Sequence, residues 1–343
     1  MSRSLEDRKQ PVAAHVYDIA NCGPNNRFVA NGKLVHNSGG DKLNLQNLPA
    51  RGDNTIRRAL RAPDGHVLIA CDSSQIEARM VGYLAGQDDL TKSFAQGVDV
   101  YSEFAADIYS TPITSVTKQQ RFVGKTSILG LGYGMGHVKF RDVLKTQGGV
   151  VVNTAEAKWV VNLYRNKYHK ISTLWRHCNN VLGDMCAGRA GMIGDLVSYD
   201  GDGIVLPNGL KIRYTMLQSM QGDKGVGYEY INDARVFRKA LKNRVLQGQA
   251  GDIAYTKIYG GKVAENIVQA LARIVVSEQM VAVGRRYHVL FQVHDELIIC
   301  VPKEEEAEAK AYMMKCMSTA PKWAPTLPVA CEADSGPNYG SCK

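Results

Sequence analysis

A chain of 343 residues, 45% of them hydrophobic, is long enough to bury a sizeable core and to form about two structural units. Its 42 Lys and Arg against 33 Asp and Glu leave a formal charge of +9, which favours a polyanionic partner. The eight cysteines show no Cys-x-x-Cys spacing, which argues against a zinc site or disulfide framework and for thiols in a reducing cytoplasm; no apolar run approaches the roughly 20 residues of a membrane span, and Met1-Ser-Arg-Ser is too polar to start a signal peptide.

Taken in chain order, Asn31-Gly32 between two apolar-rich runs predicts a type I′ hairpin. Residues 55–61 and 66–71 read as adjacent strands, the second ending at Asp72. Helical patterns follow at 75–85, 101–109, 117–133 and 155–185, a largely helical insertion. Strand signals return at 204–214, with Asn208-Gly209 marking another hairpin, and 222–228 reads as a loop. An apolar-periodic helix at 262–282 leads to strands at 288–293 and 296–301, joined through His294-Asp295. Pro302 with Glu304, Glu305 and Glu306 then opens a last helix, as a proline and acids in a first turn should. Met313, Met314 and Met317 on that helix are core fillers, and Trp159, Trp175 and Trp323 are packing residues.

The chemistry lies in two distant carboxylates, Asp72 and Asp295, each ending or interrupting a strand. Between them Arg121, Lys125, Leu129 and Tyr133 recur every four residues, a spacing that drifts only slowly around a helix. One stripe therefore presents two cations suited to a triphosphate and a flat aromatic end suited to a base. Two divalent cations that stabilise an attacking and a leaving oxygen need hard oxygen ligands on a rigid support, which two converging aspartates supply. Gly124, Gly130, Gly132 and Gly134 each cost about 1 kcal/mol against Ala within a helix, so something must approach that backbone closely. Singly, each feature is ordinary: an aspartate after a strand is usually a turn residue, and Arg121/Lys125 alone is a solvated helix face.

In combination the residues resemble the three motifs of the family A DNA polymerases. Asp72-Ser-Ser-Gln-Ile-Glu-Ala-Arg79 is similar to motif A, Arg121-x3-Lys125-x7-Tyr133-Gly134 to motif B and Gln292-Val-His-Asp-Glu296 to motif C. Asn44-Leu-Gln-Asn-Leu-Pro49 and Glu332-Ala-Asp-Ser-Gly-Pro-Asn-Tyr339 resemble further segments, so the likeness runs from about Ser38 to the last residue. It implies an α+β right hand: an antiparallel palm sheet from 38–73 and about 190–343, with helical fingers at about 74–189. It also implies that Asp72 and Asp295, with the Ser73 carbonyl, bind two Mg2+ ions while Glu296 supports them. Arg121 and Lys125 would hold the dNTP triphosphate, Lys125 also protonating pyrophosphate. Gln75 and Leu129 would line the nucleotide, Tyr133 the template base, and Glu77 would crowd the sugar 2′ position. Asn44, Gln46, Arg79, Gln269 and His294 would touch primer-template DNA. Leu129 stands where an aromatic is frequent, as in a bacteriophage branch, Ser73 replaces a usual Tyr, and Tyr101 stands where a His is common. The implied activity is template-directed DNA synthesis in the host cytoplasm. The rivals are a single-subunit RNA polymerase and a nucleic-acid-binding scaffold with a defunct site.

Residues 1–37 read as a different machine. Val16-Tyr-Asp-Ile19 and Asn26 through His36-Asn37, followed by Ser38, resemble the C-terminal fragment of a split intein, a small all-β piece. Asn37 would attack its own backbone carbonyl, His36 would polarise that carbonyl, and the Ser38 hydroxyl would accept the upstream segment as an ester. The implied partner is a separate N-terminal polymerase half carrying the N-terminal intein fragment. Without the thumb on that half, the chain alone is expected to polymerise poorly.

Overall fold

The computed structural model describes residues 27–30, 33–36, 55–222, 225–231 and 255–342. Strands β1 (Arg27–Ala30) and β2 (Lys33–His36) pair antiparallel with Ala30 opposite Lys33, the two-residue hairpin that Asn31-Gly32 predicts. Asn37, Ser38, Asn44 and Gln46 lie outside the described residues.

Helix α1 (Thr55–Ala59) and strand β3 (His66–Ser73) come next. The expectation of paired strands over 55–61 and 66–71 is corrected here. Leu60 donates its amide to the Arg57 carbonyl and so closes a helical turn, and the chain then touches the sheet end only through a single bridge from Arg61 to Asn338. A helical insertion follows: α2 (Ile76–Ala85), α3 (Asp88–Ala95), α4 (Val100–Tyr109), α5 (Lys118–Thr126), α6 (His137–Gly148), α7 (Thr154–Lys167) and α8 (His169–Cys186). Helix α5 starts at a capping box between Thr117 and Gln120 and runs into one π-helical turn, Ser127–Leu131. The single helix expected at 155–185 is two, broken at Tyr168. Phe104 and Tyr164 hold the buried Tyr168 ring, and the Gln87 side chain accepts from the Lys170 amide, so tertiary contacts satisfy the break.

Strands β4 (Gly191–Ile193), β5 (Val197–Asp200), β6 (Gly203–Val205) and β7 (Lys211–Ile212) form an antiparallel meander turning at Gly209, whose φ of 81° suits glycine. A second sheet contains β8 (Gln218–Gly222), β9 (Gly225–Ile231) and β10 (Tyr255–Ile258). The predicted loop at 222–228 is therefore mostly strand. Glycines there read as breakers, yet Gly227 lies opposite Met220, and the Tyr228 hydroxyl reaches over Gly183 of α8, where a Cβ would meet it at 2.8 Å.

Helix α9 (Gly260–Gly284), strands β11 (Val289–Val293) and β12 (Glu296–Pro302), helix α10 (Glu306–Met317) and strand β13 (Cys331–Gly336) complete the fold. The main sheet has the order β11-β12-β3-β13, all antiparallel. Val67, Ile69 and Cys71 pack one face against α9 and α10. Leu68 and Ala70 pack the other against Val293, Ile298 and Tyr339, the period-two alternation of a sheet buried on both sides. Met313 and Met317 are buried as expected. Met314 and Trp159 are exposed, because each lies on the solvent side of its helix. Trp175 donates its indole N–H to the Gly132 carbonyl, and Trp323 packs against the core. Among the described residues α9 alone has the length and apolarity of a membrane span, and 56% of that window is buried within the protein.

Candidate active site

The register of the main sheet decides what Asp72 faces. Glu296 on β12 is its partner on one side and Glu332 on β13 on the other. By alternation all three carboxylates belong to the face that carries Leu68, Ala70 and Tyr339. Like charges directly opposite one another weaken strand pairing, so this row is a poor choice for stability alone. Asp295 occupies the two-residue turn between Val293 and Glu296, and its carbonyl accepts the Ser73 amide at 3.0 Å. The two distant aspartates thus come to one end of one sheet.

Backbone strain surrounds them. Gln75 and His294 both have φ of 54°, a left-handed conformation costing on the order of 1–3 kcal/mol for such residues. The His294 carbonyl is pinned by Gln292 at 2.7 Å and by Arg273 of α9 at 3.4 Å, which fixes the turn that aims Asp295. Glu296 is 3% exposed and accepts the Tyr339 hydroxyl at 2.7 Å, and the Arg57 guanidinium lies 4.5 Å from that ring's centre. Burial, then the bond to Glu296, holds the Tyr339 hydroxyl well above the ordinary phenol value.

Two helices wall the carboxylate end. Glu77, on the first turn of α2, receives a long hydrogen bond of 3.5 Å from Tyr133, which lies just past the π turn. Burial pushes the Glu77 carboxyl upward and Glu265 of α9 adds to that, while Tyr133 and His294 pull it back. Opposite, α5 carries Arg121 and Lys125. Lys125 is exposed with no ion pair among the described residues. Arg121 is bidentate to Asp99 and lies over the Tyr101 ring. Burial pushes the Tyr101 hydroxyl up to about 12, with Arg121 opposing and the charges of Asp99 and Asp295 adding to it. Gly124 permits this closeness: a Cβ there would meet the Tyr101 carbonyl oxygen at 2.0 Å. What approaches that glycine is α4, which answers the sequence expectation of a close neighbour.

Asp72, Ser73, His294, Asp295 and Glu296 are therefore brought to one end of the sheet, Tyr133 meets Glu77, Arg121 and Lys125 lie on α5 beside α4, and Gln269 is exposed on α9. Two of the expected residues pack into the protein. Arg79 faces the interior, 5% exposed, with its guanidinium on the carbonyls of Ser74, Phe94 and Pro328; it braces α2 and is no surface contact. Leu129 lies in the π turn, partly buried against the helical core. His36 ends β2 opposite Arg27. Arg273, one turn beyond Gln269, and Glu332, legible only through strand register, were missed as site neighbours. Among the described residues no group of three or more His, Cys, Asp or Glu is arranged to hold a metal ion by itself.

The sequence model described as "DNA polymerase family A" matches residues 26–186, a span that includes the β1–β2 hairpin. Over 318 residues the chain is 26% identical to a DNA polymerase I of Caldicellulosiruptor bescii, covering 92% of this chain and 32% of that one. It is 27% identical over 302 residues to DNA polymerase I of Deinococcus radiodurans, covering 88% and 26%. The DNA polymerase of Bacillus phage SP02 is 27% identical over 289 residues, covering 81% and 42%. The chain thus spans well under half the length of these relatives. Its fold is similar to the polymerase domain of Pol1 from M. smegmatis, solved with DNA primer-template and dNTP, at a TM-score of 0.57 and 22% identity over 87% of this chain and 45% of that one. In sequence the chain is similar to the family A DNA polymerases, over residues 26–186 by the family model and over most of its length by these relatives.

Proposed function

We propose that this chain supplies the palm and fingers of a template-directed DNA polymerase that transfers a nucleotidyl group from a dNTP to a primer 3′-OH. The observation that carries the reading is the β3–β12 register together with the Ser73–Asp295 backbone bond, which brings Asp72, Asp295 and Glu296 to one end of one sheet. The donor set is carboxylate oxygen with peptide carbonyls such as that of Ser73, and Cys71 points to the opposite face, so it suits hard cations such as Mg2+. When bound, two Mg2+ ions would neutralise charge on the attacking and leaving oxygens.

Arg121 and Lys125 hold the triphosphate, and Lys125, exposed and without an ion pair among the described residues, gives a proton to the departing pyrophosphate. Glu77 and Tyr133 form the wall beside the sugar and base. A ribose 2′-OH there would crowd Glu77, which favours deoxynucleotides over the ribonucleotides of an RNA polymerase. Gln269 and His294 face the primer-template side, where amide and imidazole donors suit base and sugar acceptors. Residues 1–37 act as the C-terminal fragment of a split intein that joins the chain, from Ser38, to a separate upstream half carrying the thumb. Support for this comes from the hairpin register at Asn31-Gly32 and the His36-Asn37-Ser38 order. The setting is the host cytoplasm.

The test is primer extension by the chain joined to its upstream half, with Mg2+ and dNTPs. Asp295→Ala should lower kcat at least about a hundredfold, several kcal/mol of lost charge stabilisation. It should also abolish Mn2+ binding measured by paramagnetic broadening. An Asp295→Ala protein that extends primers at the unaltered rate sinks the proposal.

A further inference from the structure

We propose that Asp99 is a positioning residue for the substrate's phosphates: it clamps one edge of the Arg121 guanidinium and leaves the opposite edge facing the anion. The inference rests on the reading of α5 as the triphosphate helix and adds to it a residue on a different element.

Asp99 precedes α4 at its N-cap position, where an aspartate ordinarily accepts an amide of its own first turn, yet the Tyr101 amide is the least of the influences on its carboxylate. Instead Oδ2 accepts Arg121 Nε at 2.6 Å and Oδ1 accepts Nη2 at 3.1 Å. The Ser102 hydroxyl donates to Oδ2 at 2.6 Å and fixes the carboxylate in turn. Burial raises the Asp99 carboxyl, but the bonds from Arg121 and Ser102 outweigh it and hold the group below the ordinary carboxylate value, so it is an anion at neutral pH.

A guanidinium has five N–H donors in a rigid fork. Asp99 takes Nε–H and one hydrogen of Nη2, leaving both hydrogens of Nη1 and the second of Nη2 on the far edge, the arrangement that binds a phosphate through two oxygens. The Tyr101 ring, 5.3 Å from the guanidinium carbon, limits rotation. The Gly124 contact with the Tyr101 carbonyl holds α4 and α5 at the spacing this clamp needs. The ion pair is partly exposed, at 44% and 35%, and such pairs add little stability, so its value is in orientation. Free arginine side chains lose rotamer freedom on binding an anion; Arg121 has lost it already.

The experiment titrates the full chain with inorganic tripolyphosphate by calorimetry, without added metal. Lys125→Ala should weaken binding if α5 is the triphosphate helix. Asp99→Asn should weaken it about three- to tenfold, the loss of roughly one oriented charged hydrogen bond. Arg121→Ala should weaken it at least as much, and the Asp99→Asn/Arg121→Ala double variant no further than Arg121→Ala. Ser102→Ala, a milder change, should shift affinity in the same direction and keeps the test open should Asp99→Asn fold poorly. Binding by Asp99→Asn that is unchanged or tighter, or losses that multiply in the double variant, overturns the clamp. Wild-type binding that is absent, or that Lys125→Ala does not weaken, overturns the triphosphate reading and the clamp with it.

Discussion

Glu77 stands where three influences meet: burial and Glu265 push its carboxyl above the ordinary value of 4.5, and Tyr133 and His294 pull it down by less. The folded protein therefore holds this proton more tightly than the unfolded chain does. Its contribution to stability is fully present below pH 4.5 and is lost as pH rises through the native value, leaving an ionised, half-buried carboxylate as a cost at neutral pH. Glu77→Gln should accordingly raise Tm at pH 7 and show little or no gain near pH 4. Thermal melts at the two pH values check this, and a gain independent of pH would show that packing rather than charge is responsible. A residue that costs stability beside the aspartates is what a site shaped for a substrate sugar would retain.

Helix α5 shows how tight packing and substrate geometry depend on one glycine. An alanine at 124 gains up to about 1 kcal/mol in helix propensity. Its Cβ would nevertheless lie 2.0 Å from the Tyr101 carbonyl oxygen, a backbone atom that moves only with all of α4. Overpacking of this kind costs about 1–3 kcal/mol, and an immovable neighbour puts it at the upper end. Gly124→Ala should therefore lose about 2 kcal/mol, read as a lower urea midpoint at unchanged m. Much of this level was legible beforehand. The helical pattern at 117–133 marked the helix, and the apolar run of 66–71 marked β3. The π turn was not legible, because Ser127–Leu131 has the composition of an ordinary helix and only packing selects the wider turn. Residues 55–61 misled because Thr and Ile favour strands locally, whereas Arg57 is drawn into a helix by the Tyr339 ring. Glu332 was hidden for a different reason: which strand lies beside Asp72 is a property of topology, not of local pattern.

At the scale of the molecule, the hairpin β1–β2 forms a two-stranded sheet separate from the main one. If residues 1–37 are the C-terminal intein fragment, mixing the chain with its upstream half should release them and produce a joined product. Mass spectrometry of the mixture checks this, and Asn37→Ala should block release while leaving the hairpin intact. Products of unchanged mass after mixing would return those residues to the polymerase, whose family match begins at residue 26.

Strand β3 carries a final consequence. Its partners are β12 and β13, so Ser73 finds Cys331 roughly 260 residues further along. At about 5–20 residues per second, a ribosome needs on the order of ten seconds or more to deliver that partner. During this interval Val67, Leu68, Ile69 and Ala70, an apolar ribbon with both edges bare, wait on the nascent polypeptide after the helices of 76–186 have emerged. Birth of this protein is thus helical first and sheet last, with Asp72 held on a strand whose two partners are the last to arrive.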